Sequence, residues 1–314
     1  MPQLVSPDNF ARAESDLYFS GIARDSGGAG SFLHHRELSP IDHQVVIRQN
    51  RDTLYSAAVF DLDAGPVTVT LPNSGDRFMS LQIISEDHYT TQVAYAPAAV
   101  TLTRDEVGTR YVAAAIRTLV DPNDAADLVS VHALQDAVTV AQDAPGSFVA
   151  PDWDPVSQKT VRDALVTLAT TLPDTKGMFG TAADTDPVRH LIGSANAWGG
   201  NPARDAFYLT AVPTANDGTT VHRLTVKDVP VDGFWSVTVY NKDGYFTAND
   251  QNAYSVNNIT ATRDADGSTT IQFGGTDGPN LLPITPGWNY TVRLYRPRPE
   301  ILDGGWVFPV AEPV

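Results

Sequence analysis

The sequence predicts a mainly β protein, built as two tandem jelly-roll-like β-sandwiches with an α-helical insert between them. Three observations carry this reading: a β unit that occurs twice, a helix-patterned middle, and turn residues between alternating runs. Asp76, Phe78, Ser80, Asp87 and Tyr89 recur in register as Asp232, Phe234, Ser236, Asp243 and Tyr245, five matches in fourteen ungapped positions. Upstream, Arg51-Asp52-Thr53-Leu54-Tyr55 is echoed by Arg204-Asp205-Ala206-Phe207-Tyr208. Downstream, the Gly-x-x-Tyr of Gly108 and Tyr111 is echoed by Gly287 and Tyr290. The repeat is too long for a solenoid or propeller unit, so it reads as two domains. Paired domains create a cleft, a favoured place for ligands.

In chain order, residues 1–36 hold a short amphipathic helix and a Gly-rich loop. The helix runs from Asp8 to Phe19 with Phe10, Ala13, Leu17 and Tyr18 on one side. The loop, Gly27-Gly28-Ala29-Gly30, lacks the Lys-Ser/Thr ending of a phosphate-binding loop and reads as a flexible connection. Residues 37–120 form the first sandwich, with β patterning from Val45 onward. Val67, Val69 and Leu71 alternate onto one face. Met79, Leu81 and Ile83 share a face opposite Phe78, Ser80 and Gln82. In the second copy Trp235, Val237 and Val239 point inward, and Phe234, Ser236, Thr238 and Tyr240 outward. Neither outward face is purely polar, so each is covered by another layer or lines a cleft. Residues 121–203 form the insert, with helices over Ala125–Gln142, over Ser157–Leu172 ended by Pro173, and from Asp186-Pro187. Residues 204–314 form the second sandwich, with hairpin turns at Asn216-Asp217-Gly218 and Asp264-Ala265-Asp266-Gly267. The tail through Trp306-Val307-Phe308-Pro309 reads as an extended strap.

Composition excludes several functions. A hydrophobic fraction of 42% and a charged fraction of 18% are those of a folded chain. A formal net charge of −16 opposes nucleic acid and anionic membrane surfaces as partners. Without cysteine there is no disulfide, thiolate or Cys-based metal site. No apolar run is long enough to span a bilayer. With no export leader visible, the expected location is cytoplasmic, or periplasmic or secreted if a leader has been removed.

Three constellations can carry chemistry. The densest polar run, Arg48-Gln49-Asn50-Arg51-Asp52-Thr53-Leu54-Tyr55, suits an anionic or hydroxylated ligand, because arginine's fork matches carboxylates and sugars. Its competing reading is an Arg51–Asp52 structural ion pair repeated as Arg204-Asp205. Glu86-Asp87-His88-Tyr89 offers a general base in His88, a histidine beside carboxylates that titrates near neutrality. The second copy keeps Asp243 and Tyr245 but has Gly244 at the histidine, so His88 is the specialised residue. Its competing reading is a surface histidine in a turn. The third constellation joins His190 to Trp198-Gly199-Gly200-Asn201 as a pocket wall, against a buried histidine and a packing tryptophan. His34, His35 and His43 lack metal-binding spacing, and no metal or cofactor is expected.

These strings resemble the bacterial proteins that pair two domains of unknown function, DUF1254 and DUF1214. The first part of the resemblance rests on Asn50-Arg51-Asp52-Thr53-Leu54-Tyr55-Ser56, Phe60-Asp61-Leu62 and Asp76-Arg77-Phe78-Met79-Ser80 with Glu86-Asp87-His88-Tyr89. The second rests on Val229-Pro230-Val231-Asp232-Gly233-Phe234-Trp235-Ser236, Ala253-Tyr254-Ser255-Val256-Asn257-Asn258 and Leu282-Pro283-Ile284 leading to Gly287-Trp288-Asn289-Tyr290. The resemblance implies two jelly-roll-like sandwiches with a helical insert, often in exported proteins, and no general activity. Relatives often carry Cys where this chain has Thr276 and Leu281.

Together these observations point first to a cofactor-free hydrolase, lyase or isomerase acting on a polar or amphipathic molecule in an interdomain cleft. His88 or His190 is the expected base, Asp52 the orienting carboxylate, Arg51, Arg77 and Asn50 the ligand-holding groups, and Tyr55 and Trp198 the aromatic wall. The alternative is a non-catalytic carbohydrate- or metabolite-binding protein using Trp198, Trp235 and Tyr254 as stacking platforms. A homo-oligomer is compatible with either.

Overall fold

A computed structural model describes residues 2–44, 47–172 and 174–314. Val45 at the start of the expected β region and Pro173 at the expected helix end lie outside the described residues. The chain forms two compact units: Met1–Arg36 with Leu54–Leu119 and Leu128–Ala203, and Glu37–Thr53 with Val120–Asp127 and Arg204–Val314. Each unit thus takes in chain segments that lie, in sequence, beside the strands of the other.

The first unit opens with α1 (Phe10–Asp25) and β1 (Leu33–His34), followed by β2 (Thr53–Asp61), β3 (Val67–Leu71), β4 (Met79–Ser85), β5 (Thr90–Tyr95) and β6 (Ala98–Leu102). After the one-turn α2 (Arg104–Val107) come β7 (Tyr111–Leu119), α3 (Ala125–Asp136), β8 (Thr139–Ala141), α4 (Pro155–Ala169) and α5 (Pro187–Asn196). The strands make two antiparallel sheets, β1-β2-β7-β4-β5 and β6-β3-β8. Between them lies a core that includes Val67, Val69, Leu71, Met79, Leu81, Ile83, Val100, Val112 and Ile116. The alternation in β3 and β4 therefore points as expected, because a period of two puts every second side chain on the buried face. The opposite face of β4 is also buried, and α1, α4 and α5 build a separate core around Phe10, Leu165, Met178, Phe179 and Ile192.

The second unit contains β9 (Ala206–Ala211), β10 (His222–Val226), β11 (Trp235–Tyr240), β12 (Ser255–Asn257), β13 (Thr269–Phe273), β14 (Asn289–Tyr295), the short α6 (Pro299–Leu302) and β15 (Glu312–Pro313). Its sheets are β12-β11-β14-β9 and β13-β10-β15. They enclose Leu224, Val226, Trp235, Val237, Val239, Ile271, Phe273, Trp288 and Leu294. Trp306 packs against this core and Phe308 is buried in it, so the tail is a strap interrupted by α6.

The repeat is visible in the pairing. The order β2-β7-β4-β5 matches β9-β14-β11-β12, and β6-β3-β8 matches β13-β10-β15. Ser80 pairs with Arg117 as Ser236 pairs with Arg293. The Val120 N–H donates to the Asp52 carbonyl as the Arg296 N–H does to that of Asp205. The Gly-x-x-Tyr echo is not part of this correspondence. Ile83 pairs with Ala114, whereas its counterpart Val239 pairs with Tyr290, so Tyr111 and Tyr290 are three positions out of register.

Four further expectations are corrected. The helix from Ala125 ends at Asp136, and Thr139–Ala141 instead pair with Thr68–Thr70 of β3, because β-branched Thr and Val complete a sheet edge better than a last helical turn. Helix α1 is longer than expected, and its buried residues are Phe10, Ala13, Glu14, Ser15, Asp16, Phe19 and Ala23, leaving Leu17 50% exposed. Neither the 216–218 nor the 264–267 turn closes a hairpin. Each sends the chain from one sheet to the other, since β9 and β10, and β12 and β13, are not paired. Turn residues reverse the chain without choosing its partner.

Candidate functional site

In the first unit His88 is neither at the surface nor free. It is 2% exposed and sits at φ +65° in the turn after β4. Its counterpart Gly244 sits at φ +85° in the same turn, closed by an N–H to the carbonyl of Asn241 as His88 closes on Ser85. A non-glycine residue here carries strain, which two hydrogen bonds and burial offset. The Gly199 N–H donates to Nε2 at 2.8 Å, which puts the ring hydrogen on Nδ1, 3.0 Å from Ser194 Oγ. Ser194 Oγ in turn donates to the His190 carbonyl. Burial, aided by the charge of His190, lowers His88 to a pKa of about 3, so the ring is neutral at physiological pH. That corrects the expectation of a base titrating near neutrality beside carboxylates. Asp87 instead takes Arg12 at 2.6 Å.

His190 is 5% exposed on α5, whose start is capped by Asp186 as expected. Its Nε2 lies 2.9 Å from the Asp87 carbonyl and Nδ1 3.2 Å from that of Met178. Tyr89 stacks on it at 4.3 Å. Trp198 stacks on Tyr18 at 4.4 Å and donates its indole N–H to Ser15. The two histidine rings lie 5.5 Å apart; both nitrogens of His88 are hydrogen-bonded, and both of His190 face carbonyl oxygens, to only one of which a neutral ring donates. Tyr55 lies under Arg117, and Arg77 donates to the Leu119 carbonyl.

The second unit gathers the polar run. Its sheet presents Ser236, Thr238 and Tyr240 of β11, Arg293 of β14 and Ser255 and Asn257 of β12 on the face away from the core. Segment 48–52 covers this face. Arg293, 4% exposed, donates to the Arg48 carbonyl, to Thr238 Oγ1 and to the Tyr240 hydroxyl, and Tyr240 donates to the Gln49 carbonyl. Burial alone disfavours the Arg293 charge, but the surrounding oxygens of Tyr240, Tyr295 and Asp52 outweigh it and hold the guanidinium protonated. Burial raises the Tyr240 phenol above its usual value.

Asp52 is 1% exposed, and its Oδ1 accepts from Ser255 Oγ at 2.7 Å and Asn257 Nδ2 at 3.1 Å. Its Oδ2 has no hydrogen-bond partner among the described residues. The same holds for Arg48 Nε, Gln49 Oε1 and Ser236 Oγ. Arg51 does not pair with Asp52. It donates to the Ser39 carbonyl and lies over Phe246 and Tyr254 at 5.8 and 5.2 Å, and burial lowers its pKa. Asn50 donates to the Tyr295 hydroxyl and accepts from the Asp52 N–H. Arg204 and Asp205 are 3.5 Å apart, so the repeated dipeptide keeps its place but not its partners. Arg48 takes φ +50°, a conformation costly for a non-glycine residue and frequent at functional sites.

Two family models match the chain, the first across residues 37–53, which pack in the second unit, as well as across strands of the first. The DUF1254 family, described as a protein of unknown function, matches residues 29–107, and DUF1214, described likewise, matches 206–299. The chain belongs to the two-domain DUF1254–DUF1214 family. No curated protein matches it. Among solved structures, the VPA0106 protein from Vibrio parahaemolyticus is similar over 98% of this chain and 97% of its own, with a TM-score of 0.72 and 18% identity. A putative uncharacterized protein from Burkholderia cenocepacia is similar over 98% and 86%, with a TM-score of 0.53 and 14% identity. At these identities the likeness establishes the fold alone.

The expected site residues therefore divide. His88, His190, Trp198, Tyr55 and Arg77 belong to the first unit, and Asn50, Arg51 and Asp52 to the second. Sequence reasoning missed Arg117 and Arg293. Their signal was present: each is the one charged side chain within an otherwise uncharged β run, Tyr111–Leu119 and Asn289–Tyr295.

Proposed function

We propose that the protein binds a small hydroxyl-rich molecule of the carbohydrate or polyol class in the second unit, without turning it over. The observation that carries this reading is the buried Asp52 carboxylate, with one oxygen fixed by Ser255 and Asn257 and the other without a partner among the described residues. A buried acceptor left unmet costs about 1–3 kcal/mol, and a ligand hydroxyl satisfies it. Gln49 Oε1 is a second unmet acceptor, while Arg48 Nε is a donor and Ser236 Oγ serves as either. Vicinal hydroxyls, which donate and accept side by side, match this mixture better than an anion does. The cover is 42% exposed at Ile47 and half-buried at Arg48 and Gln49, so it is the part of this face that meets solvent.

Binding is favoured over catalysis because a general base needs a free nitrogen within reach of a proton. Both nitrogens of His88 are hydrogen-bonded, and both of His190 face backbone carbonyls. Calorimetric titration with a panel of neutral monosaccharides and polyols tests the reading. One member binds at submillimolar concentration, and both Asp52→Asn and Ser236→Ala weaken it at least tenfold in variants whose melting confirms folding. Absence of binding across the panel, or binding unchanged in both variants, overturns it. Chemical conversion of a bound member, seen by NMR, overturns the non-catalytic part and restores the enzyme reading.

A further inference from the structure

The opposite face of β11 carries a second, unrelated feature. Where Trp235 meets the connections around it, a cavity of about 230 Å³ opens, lined by Lys227, Asp228, Val229, Trp235, Asn258 and Arg263 among others. Its polar groups are mostly donors. The Arg263 side chain makes no hydrogen bond or ion pair with any described residue, nor does the Trp235 indole N–H. Asn258 Oδ1 accepts from the Trp235 backbone at 3.3 Å, which leaves its NH₂ as the available end. Lys227 Nζ lies 3.8 Å from Asp266, a distance that leaves its three donors largely unspent. Asp228 is the one carboxylate in the lining. Val229, Val231 and the indole supply an apolar wall.

Such a set is unusual in a chain of net charge −16. Two cations and an amide NH₂, against one carboxylate, line this cavity and favour a ligand that mainly accepts. An arginine's planar fork, free of internal partners, matches a planar or tetrahedral oxyanion. We propose that this cavity binds a small amphipathic anion, with its carboxylate or phosphate on Arg263 and Lys227 and its apolar body against Trp235. The site is independent of the hydroxyl-binding reading above, which uses the other face of the strand.

Two probes test it on the full chain: benzoate for the carboxylate and phenyl phosphate for the phosphate, with neutral benzyl alcohol as the uncharged match. Calorimetry or ligand-observed NMR at low salt detects at least one anion, bound at least tenfold more tightly than benzyl alcohol. Arg263→Ala, at an exposed position, weakens it at least tenfold. Asp228→Asn strengthens it by removing the like charge, and Asp52→Asn leaves it unchanged. Failure of both anions to bind, or binding indifferent to Arg263→Ala, overturns the proposal. Loss on Asp52→Asn in a folded variant also overturns it, because the anion would then be reading the other site.

Discussion

Arg117 and Arg293 occupy the same position on the same strand of two sandwiches. Each donates one nitrogen to a strand neighbour, Gln82 or Thr238, and another to a backbone carbonyl, Gly199 or Arg48. Gly199 and Arg48 themselves correspond, both at positive φ, +76° and +50°. In each unit a buried guanidinium thus pins a loop onto the outer face of the larger sheet. The tie explains how a face with so many polar groups stays covered, since the arginine supplies the donors those carbonyls need.

Arg293→Met is expected to destabilise the protein by about 3 kcal/mol, because it leaves the Arg48 carbonyl, Thr238 and Tyr240 short of a buried partner. Arg293→Lys recovers only part of this, since an ammonium cannot span the same acceptors in a plane. Urea unfolding midpoints measure both. A loss below about 1 kcal/mol for methionine would show that the tie contributes little to holding the cover.

His88 gives an ordering test. Truncation removes two hydrogen bonds and a buried ring, a loss of roughly 2–4 kcal/mol. Glycine then suits φ +65° and alanine does not, so His88→Gly is expected to be more stable than His88→Ala by about 1 kcal/mol. Both fall below the native protein in chemical denaturation. Alanine equal to or better than glycine would contradict the strained turn.

The pH dependence of stability combines two opposed buried groups in the first unit. Asp16, on α1, is raised to about 6 from its usual 3.8, by burial first and then by Glu86 and Asp87 against the Trp153 hydrogen bond and Arg12. A raised acid gives stability that is complete below 3.8 and is lost as pH rises to about 6. His88, lowered from 6.5 to about 3, does the reverse: its contribution is complete above 6.5 and lost as pH falls to about 3. Between these limits each contributes up to about 1.4 kcal/mol per pH unit with opposite sign. Stability of the native protein is therefore expected to be comparatively flat from roughly pH 4 to 6, and that of Asp16→Asn to climb with pH across the window. Equal slopes in the two proteins would mean that Asp16 is ionised throughout.

Much of this was legible in the chain, for a local reason. Alternation in Val67–Leu71 and in Trp235–Tyr240 placed the inward residues correctly, because a strand's period of two is written in each strand by itself. The ungapped repeat likewise located equivalent strands, since it preserved spacing through a shared turn. Its third echo failed by three residues, because two residues in a Gly-x-x-Tyr string match without any pairing to hold them in register.

The sequence by itself determined the two-sandwich architecture, the family, the inward faces and the run at 48–52 as a polar concentration. Tertiary structure alone decided which groups are free. Burial turned His88 from a candidate base into a neutral, hydrogen-bonded core residue, and it turned Arg117 and Arg293 from unremarked strand residues into the ties of two polar faces. Asp52 drew its partners from Ser255 and Asn257, about two hundred positions away, leaving one oxygen unmet. Protonation and hydrogen-bond availability depend on desolvation and on neighbours brought together from distant sequence. Those neighbours are chosen by packing, which periodicity does not encode.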